Sequence, residues 1–312
     1  MSFRITSNMM FERLMSNIRT GARTIGELQE QMVSLRKINR PSDNPAGASR
    51  VQALRSSEND YAQYIENIDQ ARSMLNFTAS ALEGVSQAVV AARGKLLAAL
   101  SPTVDAVGKE ATAVEIDDIL RSILGQANSS FGGIHIFGGT QTAGPPFSIR
   151  AQGSKGVEAV EFSGDSGSIR YVVGVGHLVK VNEDPMGIFM RRGEARGLFQ
   201  TLIDVRTLLQ NPDGLEDGDL SRLLSEKLGS FDAIHDDVVA GIGRAGARSR
   251  ALQIRRDLYS QAELNSAGWR SEVEDIDIAD VALRLQNQQA VFEIVLASSA
   301  SVFNTNLMEF LR

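Results

Sequence analysis

The chain has 312 residues, 43% hydrophobic and 22% charged, with a formal net charge of −6. That length can bury a substantial core in about one to three domains, and an acidic balance gives no broad electrostatic footprint for nucleic acid. The absence of cysteine excludes disulfides and thiolate metal ligands and leaves the compartment open. No apolar run reaches membrane-spanning length, and MSFRITSNMMFERLMSNI has neither an apolar signal core nor a small-residue cleavage site. The expectation is a soluble chain that, if it leaves the cell, does so without a cleaved signal peptide, with neither nucleic acid nor membrane as a partner.

In chain order, the first predicted element is a helix. Phe11, Leu14, Ile18, Gly21, Ile25, Leu28, Met32 and Leu35 step by three and four, an a/d seam with one glycine in it. The stretch INRPSDNPAGAS, Ile38 to Ser49, then interrupts two helical patterns. Arg40 precedes Pro41, which disfavours helical backbone, so the first helix is predicted to end near there. Asn44 before Pro45 reads as an N-cap followed by proline at the first helical position. A second helix from Ala46 to Leu100, roughly 80 Å long at 1.5 Å per residue, carries Val51, Leu54, Tyr61, Ile65, Ile68, Leu75, Leu82, Val89 and Leu96. Glu58, Arg72, Ser86 and Arg93 interrupt its seam. A shorter periodicity around Val114 to Ala127 predicts a third helix.

The texture changes at Asn128. Up to about Met190 the chain is glycine-rich, with alternating stretches such as GGIHIFGG, GVEAVEFSG and SIRYVVGVGHLVKV, which predict antiparallel hairpins. Helices resume at LFQTLIDVRTLLQ, then at Leu220 to about Val239 and at Arg244 to about Ala267, with less regular seams. In the last segment Ile278, Val281, Leu285, Gln288, Phe292, Val295, Ser299 and Val302 again step by three and four.

The two terminal seams have the same length, and charge favours their pairing. Arg36, Lys37 and Arg40 cluster at the end of the first helix, while Glu272, Glu274, Asp275, Asp277 and Asp280 cluster at the start of the last. Antiparallel pairing brings these clusters together, and each suits its helix dipole. The predicted fold is mainly α with a small antiparallel β domain: a long helical hairpin bundle whose N- and C-terminal helices pair as an antiparallel coiled coil. Residues 1–44 and 272–312 would form the terminal assembly domain, 45–130 and 191–271 the helical bundle, and 131–190 a β-rich tip. Pro41, Asn44 and Pro45 would form a joint between the terminal pair and the bundle.

The motifs that could carry chemistry have simpler readings. GDSG, Gly164 to Gly167, resembles the setting of a protease serine, but a triad needs a base and an orienting carboxylate. A hairpin turn between EFSG and SIRYVV explains the same residues. FGGIHIFGG, Phe131 to Gly139, lacks the lysine and strand–helix context of a phosphate loop. His135, His177 and His235 show no metal-ligand spacing. EDIDIAD, Glu274 to Asp280, lacks the glycine and distal glutamate of a calcium loop and falls where a helix start favours acids. The sequons at Asn76 and Asn128 are weak signals. Neither an enzyme nor a cofactor or metal site is expected.

Apolar residues also lie off the terminal seams: Met9, Met10, Met15, Val33, Leu283, Ile294, Leu296 and Phe303. A single-seam helix pair is marginal alone, so these faces point to burial against other chains and to ends that are loose in a free subunit. RITSNMM (Arg4 to Met10), INRPSDNPAGAS, GGIHIFGGTQTAGPPF (Gly132 to Phe147), AGARSRALQ (Ala245 to Gln253), SEVEDIDIADVALRL (Ser271 to Leu285) and NLMEFL (Asn306 to Leu311) resemble the bacterial flagellin superfamily, most closely its members at the hook–filament junction. Flagellins of the filament usually start differently and lack the IFGG…PF segment. The resemblance implies secretion through the flagellar export apparatus with the help of an export chaperone. It also implies a ring of subunits between a first hook-associated junction protein and the flagellin filament. Alternatives are filament flagellin itself, an extracellular hydrolase or adhesin built on the β segment, and a helical signalling scaffold.

Overall fold

The computed structural model describes residues 7–153, 156–190, 197–211 and 214–310. The outermost residues, on which the expectation of loose ends partly falls, lie outside that set. The chain is mainly α with short antiparallel hairpins. Its elements are α1 (Ser7–Ser34), α2 (Pro45–Ala99), α3 (Ala106–Ala127), β1 (Ser130–Phe131), β2 (Ile134–His135), β3 (Phe147–Gly153), β4 (Gly156–Phe162), β5 (Arg170–Val172), β6 (Leu178–Lys180), a π-helical turn (Met186–Met190), α4 (Leu198–Gln210), α5 (Asp217–Glu274) and α6 (Ile278–Phe310). It divides into two compact units, Met1–Tyr61 with Gln261–Arg312, and Ala62–Ser260.

The core of the second unit starts on α2. Ile68, Leu75, Leu82, Val89 and Leu96 recur every seven residues and all are fully buried. Across from them α5 runs antiparallel: Asp69 pairs with Arg256, Asn76 with Ser249 and Arg93 with Asp232, so partners descend one helix as they ascend the other. Gly197 precedes α4, and α3 is longer than its apolar periodicity suggested, because Asp105 caps it by accepting from the Gly108 N–H at 2.8 Å.

Two expected helices between Leu220 and Ala267 are instead one, α5. Its buried stripe is regular: Leu220, Leu224, Lys227, Phe231, Ile234, Val238, Gly241, Ala245 and Leu252. Lys227 and Gly241 break the hydrophobic pattern without breaking the helix. Lys227 Nζ reaches Asp204 at 2.5 Å. A Cβ on Gly241 would stand 3.1 Å from Leu82 and 3.3 Å from Ile188, so this glycine serves close packing rather than chain reversal.

The hairpins form three two-stranded sheets, β1–β2, β3–β4 and β5–β6. Gly132 and Gly133, both at positive φ, make the two-residue turn between β1 and β2. Ile136, Phe137, Phe147, Val157, Val173 and Val181 bury their side chains in the same core as the helices. The Phe147 ring lies 5.0 Å from Phe162 and 5.1 Å from Phe189. The expected hairpin turn at GDSG is a link between two different hairpins, since β4 pairs with β3 and β5 with β6. Asp165 holds that link: its carboxylate accepts from the Thr140 hydroxyl, the Thr140 N–H at 2.7 Å and the Gly167 N–H at 2.8 Å. These bonds, the Thr140 hydroxyl foremost, keep its pKa below the ordinary value.

A buried polar node ties α3, α4 and β4 together. Arg206 is 3% exposed and donates to Asp117 at 2.7 Å and to the Val157 carbonyl at 2.6 Å. Asp117 also accepts from the Val157 N–H and from Arg121, both at 2.9 Å. Burial works against its charge, but these three donors outweigh it and hold the carboxyl below the usual range. Replacing Arg206 by leucine leaves a carboxylate out of water without its main partner, and we expect a loss of about 3 kcal/mol in urea unfolding. Because the folded pKa is depressed, the contribution of Asp117 is complete above the unfolded-state value near 3.8 and drains as pH falls through the folded one. The Asp117→Asn variant should therefore flatten the acid limb of the stability profile.

Candidate assembly interface

The terminal unit is built on α1 and α6, which pack antiparallel. Where α1 ends, Arg36 bridges to Asp275. The Ile276 N–H donates to the Leu35 carbonyl at 3.3 Å and the Lys37 N–H to the Glu274 carbonyl at 2.6 Å. Further along, Gly21 faces Phe292: a Cβ there would stand 2.9 Å from the ring, so the one glycine of the seam is the notch that admits it. Asp277 caps α6, accepting from the Ala279 N–H at 2.9 Å.

The seam residues divide by position. Leu14, Ile18, Ile25, Leu28 and Met32 are half-buried on α1, as are Leu285, Phe292 and Val295 on α6, and Val281 is buried. Leu35 and Ile278, counted as seam positions, lie outside the packed stripe. Leu35 follows the helix in the left-handed region at φ 59°, and both side chains are half exposed to water. The side chains of Phe11 and Val302 lie outside the described residues. Thus α1 stops at Ser34 rather than near Arg40, because the backbone of Leu35–Lys37 turns its hydrogen bonds to the α5–α6 link.

The stretch at 38–49 is ordered by its own short side chains. The Asp43 carboxylate accepts from the Arg40 N–H at 2.8 Å and the Asn39 N–H at 3.1 Å, closing a turn around Pro41. The Arg40 bond foremost holds the Asp43 pKa below its ordinary value. Asn44 caps α2 by accepting from the Gly47 N–H at 2.9 Å, and Pro45 is its first residue.

The residue that sequence reasoning passed over is Glu274. It was grouped with the acids of the last helix, yet it ends α5 and is 2% exposed. Its carboxylate receives Arg55 of α2 at 2.5 Å, Arg36 at 2.9 Å and Arg270 at 3.4 Å. Arg270 in turn holds Glu58 at 3.0 Å. Among the described residues of the basic and acidic clusters expected to meet, Arg36 pairs directly with Glu274, and Lys37 Nζ reaches the Glu272 carbonyl at 3.4 Å. Arg40 pairs with Glu30 at 3.2 Å and Arg284 with Asp280 at 2.8 Å, within their own segments.

Both terminal helices keep apolar side chains in water. Val33 is 87% exposed, Ile294 68% and Leu283 59%, with Met9, Val291 and Leu296 also exposed. Met15 is half-buried, and the side chains of Met10 and Phe303 lie outside the described residues. Among the described residues no group of His, Asp or Glu could hold a metal ion, and no helix is long and apolar enough to cross a membrane.

Residues 5–142 match the bacterial flagellin N-terminal helical region. The particular relatives are narrower. Flagellar hook-associated protein 3 of Salmonella typhimurium is 30% identical over 156 residues, 50% of this chain and 49% of that protein. The match thus spans about half the length of that curated relative. Flagellar hook-associated protein-3 of Legionella pneumophila superposes with a TM-score of 0.62 at 14% identity, over 72% of this chain and 98% of that one. A Vibrio parahaemolyticus structure provisionally assigned as a flagellar hook-associated protein gives 0.67 at 18% identity, over 75% of this chain and 100% of that one. At these identities the superpositions establish a shared fold.

Glu274→Gln would leave three guanidinium groups around a neutral amide. We expect a loss on the order of 3 kcal/mol in this unit, read as roughly hundredfold faster amide exchange at Lys37 and Ile276. Gly21→Leu fills the Phe292 notch, and overpacking of about 1–3 kcal/mol should outweigh its gain in helix propensity. The check is faster proteolysis within α1 and α6, with residues 62–260 unaffected.

Proposed function

We propose that this chain is a structural subunit of the bacterial flagellum, an adaptor at the hook–filament junction that assembles through its terminal helices. The observation that carries the reading is the apolar side chains left in water on α1 and α6. A pair that covers only one stripe of each helix gains most of its burial when other chains pack on it. Residues 1–44 with 272–312 would be the assembly domain, 45–130 with 191–271 the supporting bundle, and 131–190 the β-bearing segment. Pro41, Asn44 and Pro45 would set the break between the first two. The partners would be further copies of the chain in a ring, the first hook-associated junction protein on one side and flagellin on the other. An export chaperone would hold the subunit before secretion. The role requires no catalysis and no cofactor.

The relatives' names and the match of residues 5–142 to the flagellin N-terminal region support the same reading. Its test is complementation in a motile bacterium lacking its own copy. Wild type should restore filaments to bare hooks, seen by electron microscopy. Leu28→Asp places a charge in the half-buried seam, where it has no partner, and should leave the hooks bare while residues 62–260 stay folded. Filaments in that variant, or hooks that stay bare with the wild type, count against the proposal.

A further inference from the structure

Two helices of the second unit carry matching patterns on their outer faces. On α3, Val107, Ala111 and Val114 step by four and three and stand in water, Val107 73% exposed and Val114 58%. On α5, Ala247, Ala251 and Ile254 repeat those steps on the side away from its buried stripe, and all three are exposed. Each set is a short outward seam with an alanine at a and larger or small apolar residues at d. The flanks of the two seams differ in sign. Glu110 and Glu115 take the g and e positions on α3, while Arg250 and Arg255 take the same positions on α5. Glu115 meets Lys95 of α2 at 2.8 Å, and among the described residues Glu110, Arg250 and Arg255 have no ion pair.

The two faces are separate parts of one unit. Glu115 places the α3 seam beside Lys95 of α2, whereas Asn76 with Ser249 and Asp69 with Arg256 place the α5 seam much nearer the start of α2. At 1.5 Å per residue the seams lie roughly 30–40 Å apart along the bundle. Gly84 of α2 lies against Gln126 as Lys95 meets Glu115, so α3 runs antiparallel to α2, as α5 does. The two outward seams therefore point the same way. We propose that the α5 seam receives the α3 seam of a second copy of the chain, the two helices lying parallel. Val107 of one copy then meets Ala247 of the other, Ala111 meets Ala251, and Val114 meets Ile254. The g and e positions pair Glu110 with Arg255 and Arg250 with Glu115, opposite charges in both cases. Copies meeting through α3 alone or α5 alone would set like charges together. The inference rests on the self-assembly proposed above. Because the two faces differ in height, copies joined this way climb as a turn of a helix rather than forming a flat disc.

The chain has no cysteine, so paired thiols report the contact cleanly. In the complementation strain, Val114→Cys and Ile254→Cys are expressed singly and together, and assembled hooks are mildly oxidised. Together they should give a disulfide-linked band of twice the chain mass on a non-reducing gel, and each alone should give none. Both in one chain should give a ladder of higher multiples. Normal filaments without the band on co-expression would overturn the inference, as would a double-mass band from either single variant, which would mean identical faces meet. If the cysteines themselves leave hooks bare, charge reversal decides. Glu110→Arg alone and Arg255→Glu alone should each lower the subunit retained at hook tips by about fivefold, and the double variant should recover. Unchanged retention in both single variants, or no recovery in the double variant, would overturn the inference. A wild type absent from hook tips would overturn the junction reading beneath it, a separate and distinguishable result.

Discussion

A carboxylate taken out of water costs several kcal/mol unless charged donors surround it, and Glu274 meets that condition only while three segments stay together. Arg36 comes from the chain after α1, Arg55 from α2 and Arg270 from α5 itself. The two backbone hydrogen bonds between Leu35–Lys37 and Glu274–Ile276 lie beside it. The antiparallel set of α1 on α6 follows from this point, because both helices leave it with their directions already decided. Along the seam, whose residues are mostly half-buried, the Gly21 notch that admits Phe292 adds a second fix on the register.

The second unit uses the same device. Asp117 with Arg206, and the buried Glu183 with the partly exposed Arg244 and Arg248 at 3.0 and 2.7 Å, are ion pairs that join elements far apart in the chain. Asn128 does so without charge. Its amide donates to the Phe147 carbonyl at 2.7 Å and accepts from the Phe147 N–H at 2.9 Å, substituting for a strand partner. Asn182 likewise bridges Gly167 and Ile169. These bonds matter because two-stranded hairpins, here with strands of 2 to 7 residues, are marginal by themselves. The helices supply the core, and the polar bridges choose how the hairpins lie on it.

Assembly and stability therefore draw on different residues. The apolar side chains left exposed on α1 and α6 add little to the free subunit, and their exposure accounts for the proposed need for partner chains. The polar nodes act within each unit.

Much of the architecture was legible in the residues because helix signals are local. The seven-residue spacing from Ile68 to Leu96, the Asn44–Pro45 start of α2 and the alternation of the β segment each involve neighbours within a few positions. Three features depended on tertiary contacts. The continuity of α5 was hidden because Gly241 reads locally as a breaker, whereas its role is to let Leu82 and Ile188 approach. The end of α1 was misplaced because Leu35 leaves the helix for a hydrogen bond with Ile276, a partner 241 positions away. Glu274 looked like one acid among several, since nothing in EDIDIAD distinguishes it from its neighbours. Local pattern decides which segments become helix or strand, because backbone hydrogen bonding and side-chain spacing act over a few residues. Which buried charge finds which partner is decided only when distant segments exclude water together.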